Sequence, residues 1–142
     1  MRALFDVNAL LALFDRDHVF HTPVRAWWAA NEGSGWATCP ITQNGFARIM
    51  SQPGYPRNRP MVEAIKALHA GVVQPGHQFW PDDISIADAD VFDRTRILGP
   101  KQLTDVYLLA LAVKNGGRLV TLDRAVPISA VRGAEPHHIA VL

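Results

Sequence analysis

Short apolar runs alternate with longer amphipathic stretches along this 142-residue chain, and that alternation constrains its fold more than any other feature. The runs fall at residues 2–6, 36–39, 79–80, 119–122 and 139–142. Each is stopped by an acid, a proline or the end of the sequence, and each is too short for a buried helix. A short run that is apolar almost throughout reads as a strand covered on both faces, and strands separated by helices build a parallel sheet. The expected fold is therefore α/β, a three-layer α/β/α sandwich around a central, mostly parallel sheet. Residues 1–142 suit one domain of that kind. The run 119–122 belongs near the middle of the sheet and 139–142 at an edge.

The intervening helices are marked by their ends. One covers residues 8–14, with Asn8 as N-cap. A second starts where Thr22 caps and Pro23 takes the first helical position, and stops near Gly33 and Gly35. A third opens at Thr42 with Phe46, Ile49 and Met50 on one face. Pro53, Pro56 and Pro60 make residues 51–60 a loop, and Pro60 begins a helix that runs to Ala70 and closes at Gly71. Residues 86–97 read as a charged helix. Thr104 caps the most apolar helix, 106–113, which ends at Gly116 and Gly117; apolar on every side, it should be buried.

Three acids stand where these elements end. Asp6 closes the first strand, Asp123 closes the strand at 119–122, and Asp105 opens the buried helix behind Thr104. In open α/β sheets, ligand sites form beyond the carboxyl ends of the strands, so the three are candidates for one cleft. Taken singly, Asp105 is explained by the helix dipole, and Asp6 and Asp123 by turns. Carboxylates gathered in a small cleft repel, and they stay ionised together only beside a cation. Mg²⁺ and Mn²⁺ are hard, oxygen-seeking ions suited to that place and to phosphodiester chemistry.

The same residues carry a resemblance. Leu4-Phe5-Asp6-Val7-Asn8 is similar to the opening strand of the PIN-domain nucleases. Residues Cys39 to Ile49 resemble their second motif, Leu103 to Ala110 the third, and Leu119 to Asp123 the fourth. All four occur in order, and the nearest likeness is to the VapC-type toxins. The resemblance implies a Mg²⁺- or Mn²⁺-dependent endoribonuclease acting on single-stranded or loop RNA, leaving 5′-phosphate and 3′-hydroxyl ends. It implies a homodimer and a cognate VapB-type antitoxin; the cytoplasmic setting is the default for a chain with one cysteine, no membrane-length apolar run and no secretion signal. It places Asp6, Asp105 and Asp123 as catalytic acids and metal ligands, with Asn8, Thr104 and Thr121 as supporting polar groups. Gln43 falls where the family usually carries Glu. An amide still offers a carbonyl oxygen but removes one negative charge. Two outcomes stay open: an enzyme with weaker metal binding, or an inactive module that binds RNA or a partner.

Charge sharpens the reading. Lys and Arg number 14 against 13 Asp and Glu, a formal +1 that excludes binding of nucleic acid by bulk positive charge alone. Setting aside Asp6, Asp105 and Asp123 leaves 14 bases against 10 acids. Ten of the 13 acids are Asp and 11 of the 14 bases are Arg. Arg suits phosphate recognition, and Arg48, Arg57, Arg59 and Arg124, with Arg94 and Arg96, are candidates for an RNA-facing rim.

Other chemistries lack their residues. Cys39 is alone, so neither a disulfide nor a cysteine-rich zinc site is available, and it reads as core packing. His18 and His21 read as loop residues and His137 and His138 as surface. No serine sits in a nucleophile elbow, and no dinucleotide or phosphate loop is present. Haloacid-dehalogenase-like phosphatases need a second acid where Asn8 stands, and a receiver domain lacks its helper Lys. No apolar run is long enough to cross a membrane. Trp27 and Trp28 are neighbours on one helix; one should be core and the other flanking, or the pair should border a groove for a partner helix.

Overall fold

The computed structural model describes all 142 residues. Its centre is a five-stranded sheet in the order β3-β2-β1-β4-β5: β1 (Ala3–Phe5), β2 (Trp36–Thr38), β3 (His77–Phe79), β4 (Arg118–Thr121) and β5 (Ile139–Val141). Every neighbouring pair is parallel, with Leu4 beside Ala37 on one side and beside Leu119 on the other. The helices are α1 (Val7–Phe14), α2 (His21–Asn31), α3 (Pro40–Met50), α4 (Met61–Val72) and α5 (Leu103–Lys114).

Two cores lie on the two sheet faces, as strand alternation demands. Ala3, Phe5, Trp36 and Val120 face α1 to α4, where Leu10, Leu11, Phe46 and Leu68 complete one core. Leu4, Ala37 and Leu119 face the other way, onto Val106, Leu108, Leu109 and Leu111 of α5. The expected three layers are present, and α5 is buried over most of its length. No helix is long and apolar enough to cross a membrane.

Several element ends differ from expectation. Asp6, not Asn8, caps α1: its side chain accepts from Ala9 N at 2.7 Å, while Asn8 is exposed. Helix α2 starts at His21 with no side-chain cap from Thr22. Helix α3 starts at Pro40, and Thr42 serves from its third position, its hydroxyl accepting from Cys39 N at 3.0 Å. Asp82 Oδ2 accepts from Ile41 N at 3.2 Å, adding a distant cap to the same helix. Helix α4 runs through Gly71 to Val72. Thr104 is the second residue of α5, whose N-cap is Gln102. The third strand is His77–Phe79, earlier than residues 79–80.

The largest difference is at residues 86–97, which are not a helix. Side chains there capture backbone donors locally: Ser85 accepts from Ala87 N, Asp88 from Asp90 N and Asp93 from Thr95 N. Such bonds compete with helical ones and leave a chain of turns. Phe92 is drawn from this segment into the core, where it pairs with Val131.

Candidate active site

The parallel sheet brings the ends of β1, β2 and β4 to one edge of the molecule, and the first turns of α1, α3 and α5 meet them there. Asp6 stands between β1 and α1, and its backbone N donates to Val120 O at 3.0 Å. Its carboxylate is 4% exposed and doubly held, by Ala9 N on one oxygen and by the Thr121 hydroxyl on the other. The Thr121 oxygen also accepts from Asp123 N at 2.9 Å. One fully buried threonine thus links the acid after β1 to the acid after β4. Asp123 is exposed, and its Oδ1 accepts from Ala125 N at 2.7 Å.

Asp105 lies in the first turn of α5, partly buried. Burial, then the charges of Asp6 and Asp123, push its carboxyl up to about 6. Burial also raises Asp6, against the lowering effect of its bonds from Thr121 and Ala9. The three acids therefore feel one another, and none forms an ion pair with a basic side chain. Their chemistry fits a hard cation: oxygen donors, mutual repulsion and no internal counter-charge. No three His, Cys, Asp or Glu side chains stand close enough to share one ion directly. That suits an ion held by one or two carboxylates and through water to the rest, as Mg²⁺ is commonly held.

Gln43 sits one turn into α3. Its Nε2 donates to Thr38 Oγ1 at 2.9 Å, and that oxygen stands 2.8 Å from His77 Nε2. Thr38 and His77 were not singled out from sequence. The signal for Thr38 was available: it is the buried polar residue ending β2, as Thr121 is the one ending β4. His77 carries no such signal. Gly45, two residues on, lets α3 close against α1, since a Cβ there would lie 2.5 Å from Val7 Cγ2.

The structure separates the other candidates. Thr104 and Asn8 are exposed and make no side-chain hydrogen bond. Arg124 is exposed directly beside Asp123. Arg48 is in the last turn of α3, about 12 Å of helix rise from its start. Arg57 and Arg59 lie past the far end of α1, where Arg57 pairs with Asp17 at 3.2 Å and Arg59 approaches Asp15 at 4.0 Å. They belong to the anchor of the 51–60 loop, together with the Tyr55 hydroxyl, which donates to Asp15 at 2.6 Å. Arg96 lies 4.0 Å from Asp93 in a turn with Arg94.

His18 and His21 bond to backbone rather than standing free in solvent, His18 to Phe20 N and His21 to Ala12 O. Cys39 is buried, as expected. Trp27 and Trp28 are both half-buried, and both meet Phe5 edge-on at 5.9 Å, so neither is core alone. Trp28 also borders a cavity of about 520 Å³ with Phe14, Trp36, Arg16 and Arg25.

The profile of the PIN domain family matches residues 3–133, and the chain belongs to that family. Ribonuclease VapC44 of Mycobacterium tuberculosis is 51% identical over 142 residues, covering the whole of both chains. Ribonuclease VapC38 of the same species is 44% identical over 87% of this chain and 86% of its own, and ribonuclease VapC39 is 41% identical over 94% and 96%. Within the family the chain is thus of the VapC type. The crystal structure of M. tuberculosis VapC20, described as a sarcin–ricin loop cleaving toxin, shares the fold at a TM-score of 0.59 and 12% identity. That likeness covers 91% of this chain and 98% of that one.

Proposed function

We propose that this chain is an endoribonuclease toxin that hydrolyses phosphodiester bonds of single-stranded or loop RNA with Mg²⁺ or Mn²⁺. The observation that carries the reading is the unpaired acidic trio, Asp6, Asp105 and Asp123, gathered from distant parts of the sequence beside the ends of β1 and β4. Asp6, fixed by Ala9 N and Thr121, would be the principal ligand; Asp123 and Asp105 would hold the ion directly or through water. When bound, such a cation acidifies water and stabilises the charge on the phosphoryl and leaving oxygens. Asp105 and Asp123, the two carboxylates beside Asp6, are the groups placed to take a proton from the attacking water. Arg124 beside Asp123 meets the RNA backbone, and the products carry 5′-phosphate and 3′-hydroxyl ends. Resemblance to VapC proteins supports a homodimer, a VapB-type antitoxin and work in the cytoplasm. The cavity walled by Phe14, Trp28 and Trp36, with Arg16 and Arg25 at its border, offers that antitoxin a seat of aromatic rings and positive charge.

The competing reading is a binding module that does not cut. It is favoured by Gln43, whose amide takes one negative charge away from the site. Metal-dependent cleavage of RNA by wild type, Asp6→Asn and Gln43→Glu separates the two. Expected are an active wild type and a folded, inert Asp6→Asn. An inert wild type beside an active Gln43→Glu would establish the binding module, and unchanged cleavage by Asp6→Asn would remove the acidic trio from the mechanism.

A further inference from the structure

A carboxamide has two unlike ends, and which end faces a cluster of carboxylates decides what it does there. An NH₂ would donate to the acids and quench them; a carbonyl oxygen would join them as another oxygen donor. Gln43 has its NH₂ engaged by Thr38 Oγ1. Its Oε1 accepts from no protein group and is not among the buried oxygens left without a partner, which are limited to Asp82 Oδ1, so it opens to solvent. Thr38 is fully buried, and its hydroxyl has two side-chain neighbours, Gln43 Nε2 and His77 Nε2. Continuing the register of Leu4 with Ala37 sets Thr38 beside Phe5, the residue before Asp6.

We propose that Thr38 and His77 are positioning residues that hold the Gln43 side chain with its NH₂ inward and its carbonyl oxygen outward, toward the acidic end of the sheet. The logic is that of a single hydroxyl proton. Burial, and the neighbouring Arg2, lower His77 from its ordinary range, which favours the neutral ring. With the ring proton on Nδ1, Nε2 is an acceptor and takes the Thr38 hydroxyl hydrogen. The Thr38 oxygen then has only lone pairs left for Gln43, and only the NH₂ end can bind it. Were the hydroxyl hydrogen free, the carboxamide could turn and offer its NH₂ to the acids. Thr38 does for Gln43 what Thr121 does for Asp6: each is the last residue of a strand flanking β1, and each fixes one functional group at the sheet's end.

The inference rests on the cleavage reading, and the test keeps the two apart. Replacing Gln43 by Glu gives a group with two equivalent oxygens, which needs no orienting. Thr38→Val and His77→Phe should each lower kcat about tenfold in the Gln43 chain, equivalent to losing one oriented hydrogen bond. The same changes in Gln43→Glu should cost less than about twofold. Thr38→Ser should restore the rate. Equal losses in both backgrounds, or none in either, would overturn the proposal; inactivity of the wild type itself would instead overturn the cleavage reading. A readout independent of cleavage is NMR of the cation-free protein. The Gln43 Nε2 protons should exchange slowly in wild type and quickly in Thr38→Val, and His77 should carry its proton on Nδ1. A proton on Nε2, or unprotected Gln43 protons in a folded wild type, would also sink it.

Discussion

Asp105 has the most to say at the scale of single residues. Folded, it keeps its proton up to about pH 6; unfolded, it loses it near the ordinary value of 3.8. Between those values the folded state binds more protons, so stability falls as pH rises. The benefit of holding the proton is full below about 3.8 and gone once pH passes 6. In cation-free protein, Asp105→Asn should therefore raise stability by about 1–2 kcal/mol at pH 8 and change it little at pH 4.5. Thermal melting across that range checks the sign. Mn²⁺ should stabilise the wild type more above pH 6 than below it, because protonated Asp105 has no charge to share. A Mn²⁺ effect that is equal at both ends of the range would separate Asp105 from ion binding.

At the scale of elements, α3 and α1 meet where Gly45 faces Val7. Alanine is the better helix former by about 1 kcal/mol. A Cβ on residue 45 would nonetheless lie 2.5 Å from one Val7 methyl and 3.2 Å from the other. Gly45→Ala should destabilise by about 1–3 kcal/mol, and adding Val7→Ala should recover most of it. Urea unfolding of the two variants decides; additive losses would mean that the contact is not the cause. This contact shows what sequence could and could not reveal. The short apolar strands, the buried α5 and the three acids at element ends were all legible, because each rests on local patterning. The turns of residues 86–97 were not, because Ser85, Asp88 and Asp93 take up nearby backbone N–H groups, a choice that apolar periodicity does not record. Asp6 was legible as an acid at a strand end but not as the cap of α1, and the bond from Thr121 needs the folded sheet.

Across the whole molecule, acids and bases are sorted by place. The unpaired carboxylates sit at the ends of β1 and β4 and the start of α5, whereas Arg57 and Arg59 sit past the far end of α1, tied to Asp17 and Asp15. Both guanidiniums are therefore already engaged at the end of α1 away from Asp6. Arg57→Ala should leave KM for RNA unchanged, while Arg124→Ala should raise it several-fold, as expected for loss of one phosphate contact. Steady-state cleavage at two salt concentrations checks both, and a larger effect from Arg57 would place the RNA on the other end. The sheet also sets an order in time. Its central strand, β1, is synthesised first, yet Asp6 gains its hydrogen bond from Thr121, 115 residues later. Under the cleavage reading this spacing works as a delay: until residue 123 has been made, the first acid has neither its threonine nor Asp123 beside it, and the site is assembled last of all.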